Sequence, residues 1–303
     1  MSADRRAGRR YDAAEETRFA KTPGSDTPER ARPTAAAPIG HTIAAQPRAV
    51  GHARIALMDG RLADLYQKGS ARIMLPRGPG PGLEAVLVNT AGGITGDDRF
   101  CYEAEAVGGR LVLATQTAER LYRAQPGQIG RLNTTLRIGA GARLDWLPQE
   151  SIVFEAAALD RRLSVDMAQD ATLTATEAVI LGRQAMGETV QHAHLTDRWE
   201  IRRNGRLVFA DALRISGDIG AATCGPATLG GARAFATLLH VGPDAAALCA
   251  ALRDAIGALG GASLRDGCLV ARMVAADGLA LRRCLAQALG ILLGRDLPKV
   301  WQG

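Results

Sequence analysis

From about His52 onward, apolar residues fall into short runs, often alternating with polar ones, and turn-forming residues separate the runs. That period-2 texture reads as half-buried β-strand. His52–Leu57 and Leu62–Tyr66 flank Asp59-Gly60, a dipeptide suited to the two positive φ angles of a tight hairpin turn. Leu83–Val88 is an apolar strand running into a glycine-rich loop. Leu111–Ala114, Leu132–Ile138, Arg143–Leu147, Leu163–Met167 and Leu173–Glu177 follow at close spacing, punctuated by Gly139, Gly141 and Asp170. Arg198–Arg203 and Arg206–Leu213 form a second hairpin around Asn204-Gly205. Strands this frequent, with few helical stretches between them, predict a mainly β architecture and not βαβ units.

Two segments change period. Asp244–Leu259 carries Leu248, Ala251, Leu252, Ala255 and Leu259 near the 3.6-residue repeat, and Gly278–Leu293 carries Leu281, Leu285, Leu289 and Leu292. Both are predicted helices, the second with Asp277 as N-cap. Ser263–Leu264 and Leu269–Val274 between them read as strands. Residues 1–48 lack apolar periodicity and are rich in Ala, Thr, Pro and charge, so they are expected to form a disordered tail ahead of one domain over 49–303.

Composition narrows the function. Apolar residues make up 47% of the chain and charged residues 22%, ordinary for a globular protein, while aromatics are only 4%. The core must therefore be built from Val, Leu, Ile and Ala. The net charge of +6 is divided equally between residues 1–48 and the much longer body, and no basic stripe is interleaved with aromatics. Nucleic-acid binding is therefore not expected. No apolar run is long enough to span a membrane. Cys101, Cys224, Cys249, Cys268 and Cys284 are odd in number and widely spaced, without C-x-x-C, which fits reduced thiols in the cytoplasm better than a disulfide framework or zinc site.

Several segments could carry chemistry. Asn89-Thr90-Ala91-Gly92-Gly93-Ile94-Thr95-Gly96-Asp97-Asp98-Arg99 holds three glycines after a strand. Its spacing is neither G-x-G-x-x-G nor a P-loop, and strand follows where a phosphate site would want a helix N-terminus. A strained structural turn is the simpler reading; the adjacent carboxylates Asp97-Asp98 can hold a divalent cation, but the simpler account is that one caps the turn and the other pairs with Arg99. Glu119 to Arg123, the bend at Pro148-Gln149-Glu150, and Gly182-Arg183 through Gly187-Glu188 are further polar turns. His192 and His194 share a strand face; a polar surface strand is the simpler reading, and a metal site with Asp197 as third ligand is the alternative. No serine nucleophile elbow is present.

Taken together and in order, these segments resemble the UreD (UreH) family of urease accessory proteins. The resemblance rests on Asn89-Thr90-Ala91-Gly92-Gly93 with Gly96 and Asp98-Arg99, Ala118-Glu119-Arg120 with Tyr122-Arg123, and Trp146-Leu147-Pro148-Gln149-Glu150. It extends through Leu181-Gly182-Arg183 and Met186-Gly187-Glu188 to Leu297-Pro298 with Val300-Trp301, covering about His52 to Trp301. Asp97 stands where the family usually has Gly, and Glu155-Ala156 replaces an acidic-Gly pair.

The resemblance implies a β-helix-like body with two helices near its C-terminal part and no catalysis by the protein itself. It implies a complex, dimeric in this chain, with UreF, the GTPase UreG and apo-urease. It also implies transient passage of Ni²⁺ through an internal tunnel, with no tightly bound cofactor. Asp98, Glu177 and Glu188 are the candidate carboxylates along that route, since weak oxygen ligands release a cation more readily than a thiolate cage. A scaffold of this kind is expected to expose apolar surface when alone, with Trp301 and the 278–293 helix as candidates, core packing being their alternative role. A rival reading makes the Gly92–Gly96 loop the site of a small-molecule or nucleotide-binding enzyme.

Overall fold

The computed structural model describes residues 47–77 and 82–302. The expected tail lies, up to residue 46, outside the described residues. The protein is a β-solenoid-like body in which the chain passes alternately between two sheets. The opening hairpin is β1 (Val50–Met58) and β2 (Arg61–Gly69), joined by Asp59 and Gly60 at φ 48° and 75°. Next come β3 (Ala71–Met74), β4 (Leu83–Asn89), β5 (Arg99–Val107), β6 (Arg110–Thr115) and the short β7 (Glu119–Leu121). Then follow β8 (Gly130–Ile138), β9 (Arg143–Leu147), the short β10 (Ser151–Val153), β11 (Ala158–Met167) and β12 (Thr172–Leu181). The second hairpin is β13 (His192–Arg203) with β14 (Arg206–Asp218), turning through Asn204 and Gly205 at φ 50° and 75°. A one-turn helix α1 (Ile219–Thr223), β15 (Ala234–Val241), α2 (Ala245–Ile256), β16 (Gly260–Arg265), β17 (Cys268–Ala275) and α3 (Gly278–Leu293) complete the order.

One sheet has seven strands in the order β14-β13-β11-β8-β5-β1-β2. Its five central strands run parallel, and an antiparallel hairpin arm closes each side. The other sheet carries parallel β12-β9-β6-β4 at its centre, with antiparallel β3 on one side and β15, β17 and β16 on the other. Parallel neighbours arise because each coil lays one strand in each sheet and returns in the same direction. The short β7 and β10 pair in parallel with each other, and β10 pairs in parallel with the last residues of β12, which joins both to the second sheet.

The alternation in sequence becomes inside and outside. Ala53, Ile55 and Leu57 of β1, Phe100, Tyr102 and Ala104 of β5, and Leu159, Leu163 and Val165 of β11 face inward and form one core between the sheets. Close approach of coils demands glycine at Gly51, where an added Cβ would meet the Phe100 ring at 2.5 Å. Helices α2 and α3 form a second core with the outer face of the β12 sheet, using Leu252, Ile256, Leu281, Leu285, Leu289 and Leu292 against Leu147, Ala178, Leu238 and Met273. Asp277 caps α3 as expected, accepting from the Ala280 amide at 2.8 Å.

The expectation that Trp301 and the 278–293 helix supply exposed apolar surface is corrected here. Trp301 is only 4% exposed. Its Nε1 donates to the Leu147 carbonyl at 2.9 Å, and the Arg282 guanidinium lies 4.9 Å from its ring centroid. The leucine stripe of α3 is core.

Candidate functional site

The motif segments converge on the side of the solenoid built by β7 and β10. Gly92 and Gly93 take φ 78° and 155°. A Cβ on Gly93 would strike the Tyr122 ring and lie 2.6 Å from the Arg120 carbonyl, so the glycine allows the loop to lie flat on β7. The loop's amides are used within the protein. Gly92 N donates to Asn89 O, and Ile94 N donates to Arg120 O at 2.8 Å. Asp98 is 4% exposed and accepts from Ala49 N at 2.7 Å and Thr95 N at 2.8 Å, so it clips the loop to the entry of β1 instead of pairing with Arg99. The segment after the loop is β5, not a helix. These features leave little for a phosphate; close packing accounts for Gly93 and Gly96, and the positive φ of the turn accounts for Gly92.

From that loop the contacts run onward. Tyr122 stacks edge-on against Phe154 with centroids 5.2 Å apart, and Arg183 covers Phe154 at 4.3 Å. Arg183 Nε donates to Glu188 Oε2 at 2.8 Å across the turn framed by Gly182 and Gly187, at φ 82° and 68°. Glu188 also accepts from Glu155 N, which ties this turn to the bend after β10. Hydrogen bonding from Arg183 outweighs partial burial and holds the Glu188 carboxyl down at about 2. Gln149 and Glu150, which follow Pro148, face the other way: Arg282 of α3 donates to Gln149 Oε1 at 2.6 Å and Glu150 Oε1 at 2.9 Å. They anchor the helical layer. The two departures from the family pattern, Asp97 and Ala156, sit at φ 64° and 59°, where glycine costs least. Arg99 and Arg123 border the same loop: Arg99 N donates to Ala49 O, and the Arg123 carbonyl accepts from Thr95 Oγ1. Gly96 packs against Gln128, where a Cβ would come within 2.6 Å of another carbon.

Glu177 lies elsewhere, on the inward face of β12 inside the solenoid. Arg161 of β11 reaches it from the facing sheet and is paired in register with Asp197 of β13. The guanidinium bonds Glu177 Oε2, Asp197 Oδ2 at 2.7 Å and Ser151 Oγ at 3.1 Å, and is almost fully buried. Trp146 Nε1 donates to Glu177 Oε1 at 3.0 Å, and Trp199 Nε1 approaches Asp197 Oδ2 at 3.4 Å. One cation thus sits between two buried carboxylates. Burial pushes the Glu177 carboxyl up to about 7 despite the attraction of Arg161, with the Asp197 charge adding to the rise. Burial works against the Arg161 charge, yet Asp197 and then Glu177 offset it and raise the guanidinium pKa. Arg161 Nε and Asp197 Oδ1 are buried without a hydrogen-bond partner.

A second polar pocket lies between the glycine loop and the interior. It is a cavity of about 40 Å³, room for a water, lined by Asn89, Tyr102, Thr115 and Glu119 among others. Burial raises Glu119 to about 7, partly relieved by the hydrogen bond from Asn89. Tyr102 bridges inward, its ring 6.5 Å from that of Trp146. Asp98, Glu177 and Glu188 are therefore not assembled into one site; each has its own partners in a different part of the solenoid.

Arg161 is not singled out by the sequence pattern, and Asp197 and Trp146 appear there only as a possible metal ligand and a motif residue, although a signal for the buried cluster existed. Arg161 interrupts the inward series Leu159, Leu163, Val165, and Asp197 interrupts Leu195, Trp199, Ile201. A charge at inward parity on a strand is a buried charge. The same parity separates His192 and His194 from Asp197 and leaves the surface-strand reading of the two histidines. The histidines face outward, His194 toward Asp160 at 3.3 Å and Ser216 at 3.2 Å, while Asp197 faces inward. The five cysteines are all free. Among the described residues no helix is long and apolar enough to cross a membrane.

The architecture is a β-solenoid-like body with a buried charge cluster in its interior and a layer of helices on one sheet. Comparison with known proteins gives the family. A profile described as UreD urease accessory protein matches residues 50–302. Proteins named urease accessory protein UreD are similar over most of the chain. The one from Rhizobium leguminosarum bv. trifolii is 48% identical over 256 residues, covering 83% of this chain and 93% of its own. That of Chelativorans sp. is 49% identical over 245 residues, covering 80% and 88%, and that of Methylobacterium sp. is 45% identical over 251 residues, covering 80% and 89%. The chain belongs to the UreD family of urease accessory proteins, and its role lies in urease maturation.

Proposed function

We infer that this protein is a non-catalytic scaffold that binds apo-urease together with UreF and the GTPase UreG in the cytoplasm, as a dimer within that complex, and conducts Ni²⁺ as cargo through the solenoid interior. The observation that carries the reading is the Arg161–Glu177–Asp197 cluster, charged and incompletely satisfied among the apolar side chains of the inner core. Such a group costs stability, which suits function better than folding. Five free cysteines fit a reducing compartment.

Glu177 is the route residue we favour among the three carboxylates first considered. It titrates near neutrality, so it can exchange a proton for a passing cation. Glu119 has the same property and lies toward the glycine loop, with Tyr102 and Trp146 between them. Asp98 and Glu188 hold turns by accepting backbone amides, and in this reading they shape the side where the route opens.

The test compares wild type with Glu177→Gln, Asp197→Asn and the pair, measuring pull-down of UreF and apo-urease and nickel-dependent urease activation on the same preparations. Activation should drop severalfold in the pair while complex yield is kept. If activation falls only in proportion to lost complex, the route assignment is abandoned.

A further inference from the structure

We propose that His52, Cys101 and Glu103, on the outer face of the seven-stranded sheet, form a binding site for a divalent late first-row transition ion of the zinc, cobalt or nickel kind. His52 on β1 and Cys101 on β5 are direct partners in the parallel register, and Glu103 is two residues on from Cys101, so all three share one sheet face. That face is the outward one, since Gly51, Ala53, Phe100 and Tyr102 point inward. The site is thus separate from the interior cluster and does not depend on the proposed route.

The geometry is that of three ligands awaiting an ion. His52 Nε2 lies 2.7 Å from Glu103 Oε1, Cys101 Sγ lies 3.8 Å from the same oxygen, and the three ligand atoms all fall within 4.8 Å of one another. In a tetrahedral site with ordinary bond lengths, nitrogen and oxygen ligands are roughly 3.3 Å apart and sulfur and oxygen roughly 3.6 Å. The His52–Glu103 contact must open by about half an ångström on that basis, while the Cys101–Glu103 distance is already close to it. The backbone is held by two neighbouring strands, so side-chain rotation suffices. Among the described residues this is the one group of three such side chains close enough to share an ion.

The ligand set selects the ion. An ion pair between His52 and Glu103 needs no thiol, whereas one imidazole, one thiolate and one carboxylate suit borderline divalent ions and supply too few oxygens for Ca²⁺ or Mg²⁺. On binding, the Cys101 thiol gives its proton to solvent, neutral His52 offers the Nε2 lone pair, and Glu103 offers Oε1. The thiolate and carboxylate then balance the two positive charges. His52 and Glu103 side chains are 34% and 26% exposed, so the fourth position opens to water and the ion can exchange. Tyr66 of β2 stands edge-on to the His52 ring at 5.1 Å and restricts its rotation.

The experiment is a Co²⁺ titration of the purified, reduced full chain followed by absorption spectroscopy, with Zn²⁺ as competitor. Wild type should develop a thiolate-to-cobalt charge-transfer band, abolished by one equivalent of Zn²⁺ and untouched by excess Mg²⁺. Cys101→Ser should remove the band, and His52→Ala and Glu103→Gln should each weaken Co²⁺ binding about tenfold or more. Cys224→Ser, which changes an exposed cysteine far along the chain, should leave the titration unchanged. A band that survives Cys101→Ser, wild-type affinity in His52→Ala, or the absence of any charge-transfer band in the wild type each overturns the site.

Discussion

Replacing Arg161 by Met tests the energetics of the interior directly. Arg161 is the single cation shared by Glu177 and Asp197, and its side chain is 3% exposed. Methionine fills a similar volume but leaves two buried carboxylates without their counter-charge, a loss of about 3–5 kcal/mol for a broken buried pair. For a domain of this size that lowers Tm by roughly 10 °C. Protonation limits the damage, and it does so in a predictable direction. Burial raises Glu177 to about 7 in the folded protein, above its unfolded value, so the folded state holds a proton that the unfolded state has released between the two. The stability associated with this proton is complete below the unfolded value and is lost as pH rises through about 7. The Arg161→Met deficit should therefore be larger near pH 8 than near pH 5. In Glu177→Gln the group no longer titrates, Arg161 keeps Asp197, and the wild-type-minus-variant difference in Tm should shift in the variant's favour as pH rises. Thermal unfolding by circular dichroism at about pH 5 and about pH 8 reads both effects. An Arg161→Met Tm within about 2 °C of wild type, or a Glu177→Gln difference that does not move with pH, would show that the cluster is solvated and not a buried charge site.

Two further outcomes concern the turns. Gly93→Ala should sharply reduce the folded yield in expression trials, because its Cβ meets the Arg120 carbonyl at 2.6 Å as well as the Tyr122 ring, and β7 is fixed to β10 behind them; a well-folded variant would refute the close-packing account of the loop. Ala156→Gly should stabilise the protein by about 0.5–1 kcal/mol in denaturant unfolding, since φ 59° suits glycine better than alanine; a loss of stability would mean that the alanine methyl contributes more than the strain costs.

Much of the fold was legible because the turns state themselves. Asp59-Gly60 and Asn204-Gly205 adopt the positive φ pairs their sequences favour, and the 3.6-residue leucine pattern of α3 with its Asp277 cap needed no tertiary information. β15 was not recognisable: Ala234–Val241 is apolar without alternation, because it lies between the inner core on one face and the helices on the other. β3 is too short to show a period, and α1 is one turn long. At the site, glycine and carboxylate side chains in turns were visible, while the pairing of Arg161 with Asp197 was not. That pair depends on which coils stack and in which register, and nothing local fixes either. The choice between surface and core for Trp301 stayed open for the same reason, since its position in the sequence says nothing of the Leu147 carbonyl that receives its indole N–H.

The coil-by-coil register has a consequence for how the chain is wound during synthesis. Phe100 packs beside Leu132, Leu132 beside Arg161, and Arg161 beside Asp197, so each strand finds its neighbour on the coil made just before it. A growing chain can therefore wrap onto an existing template, one turn at a time, without waiting for distant partners. The exception is the charged centre. When β11 docks, the carboxylates that will neutralise Arg161 are still to come, Glu177 first and Asp197 a whole coil later. Winding should pause there, with that strand edge open to chaperones, until β13 arrives and closes the interior.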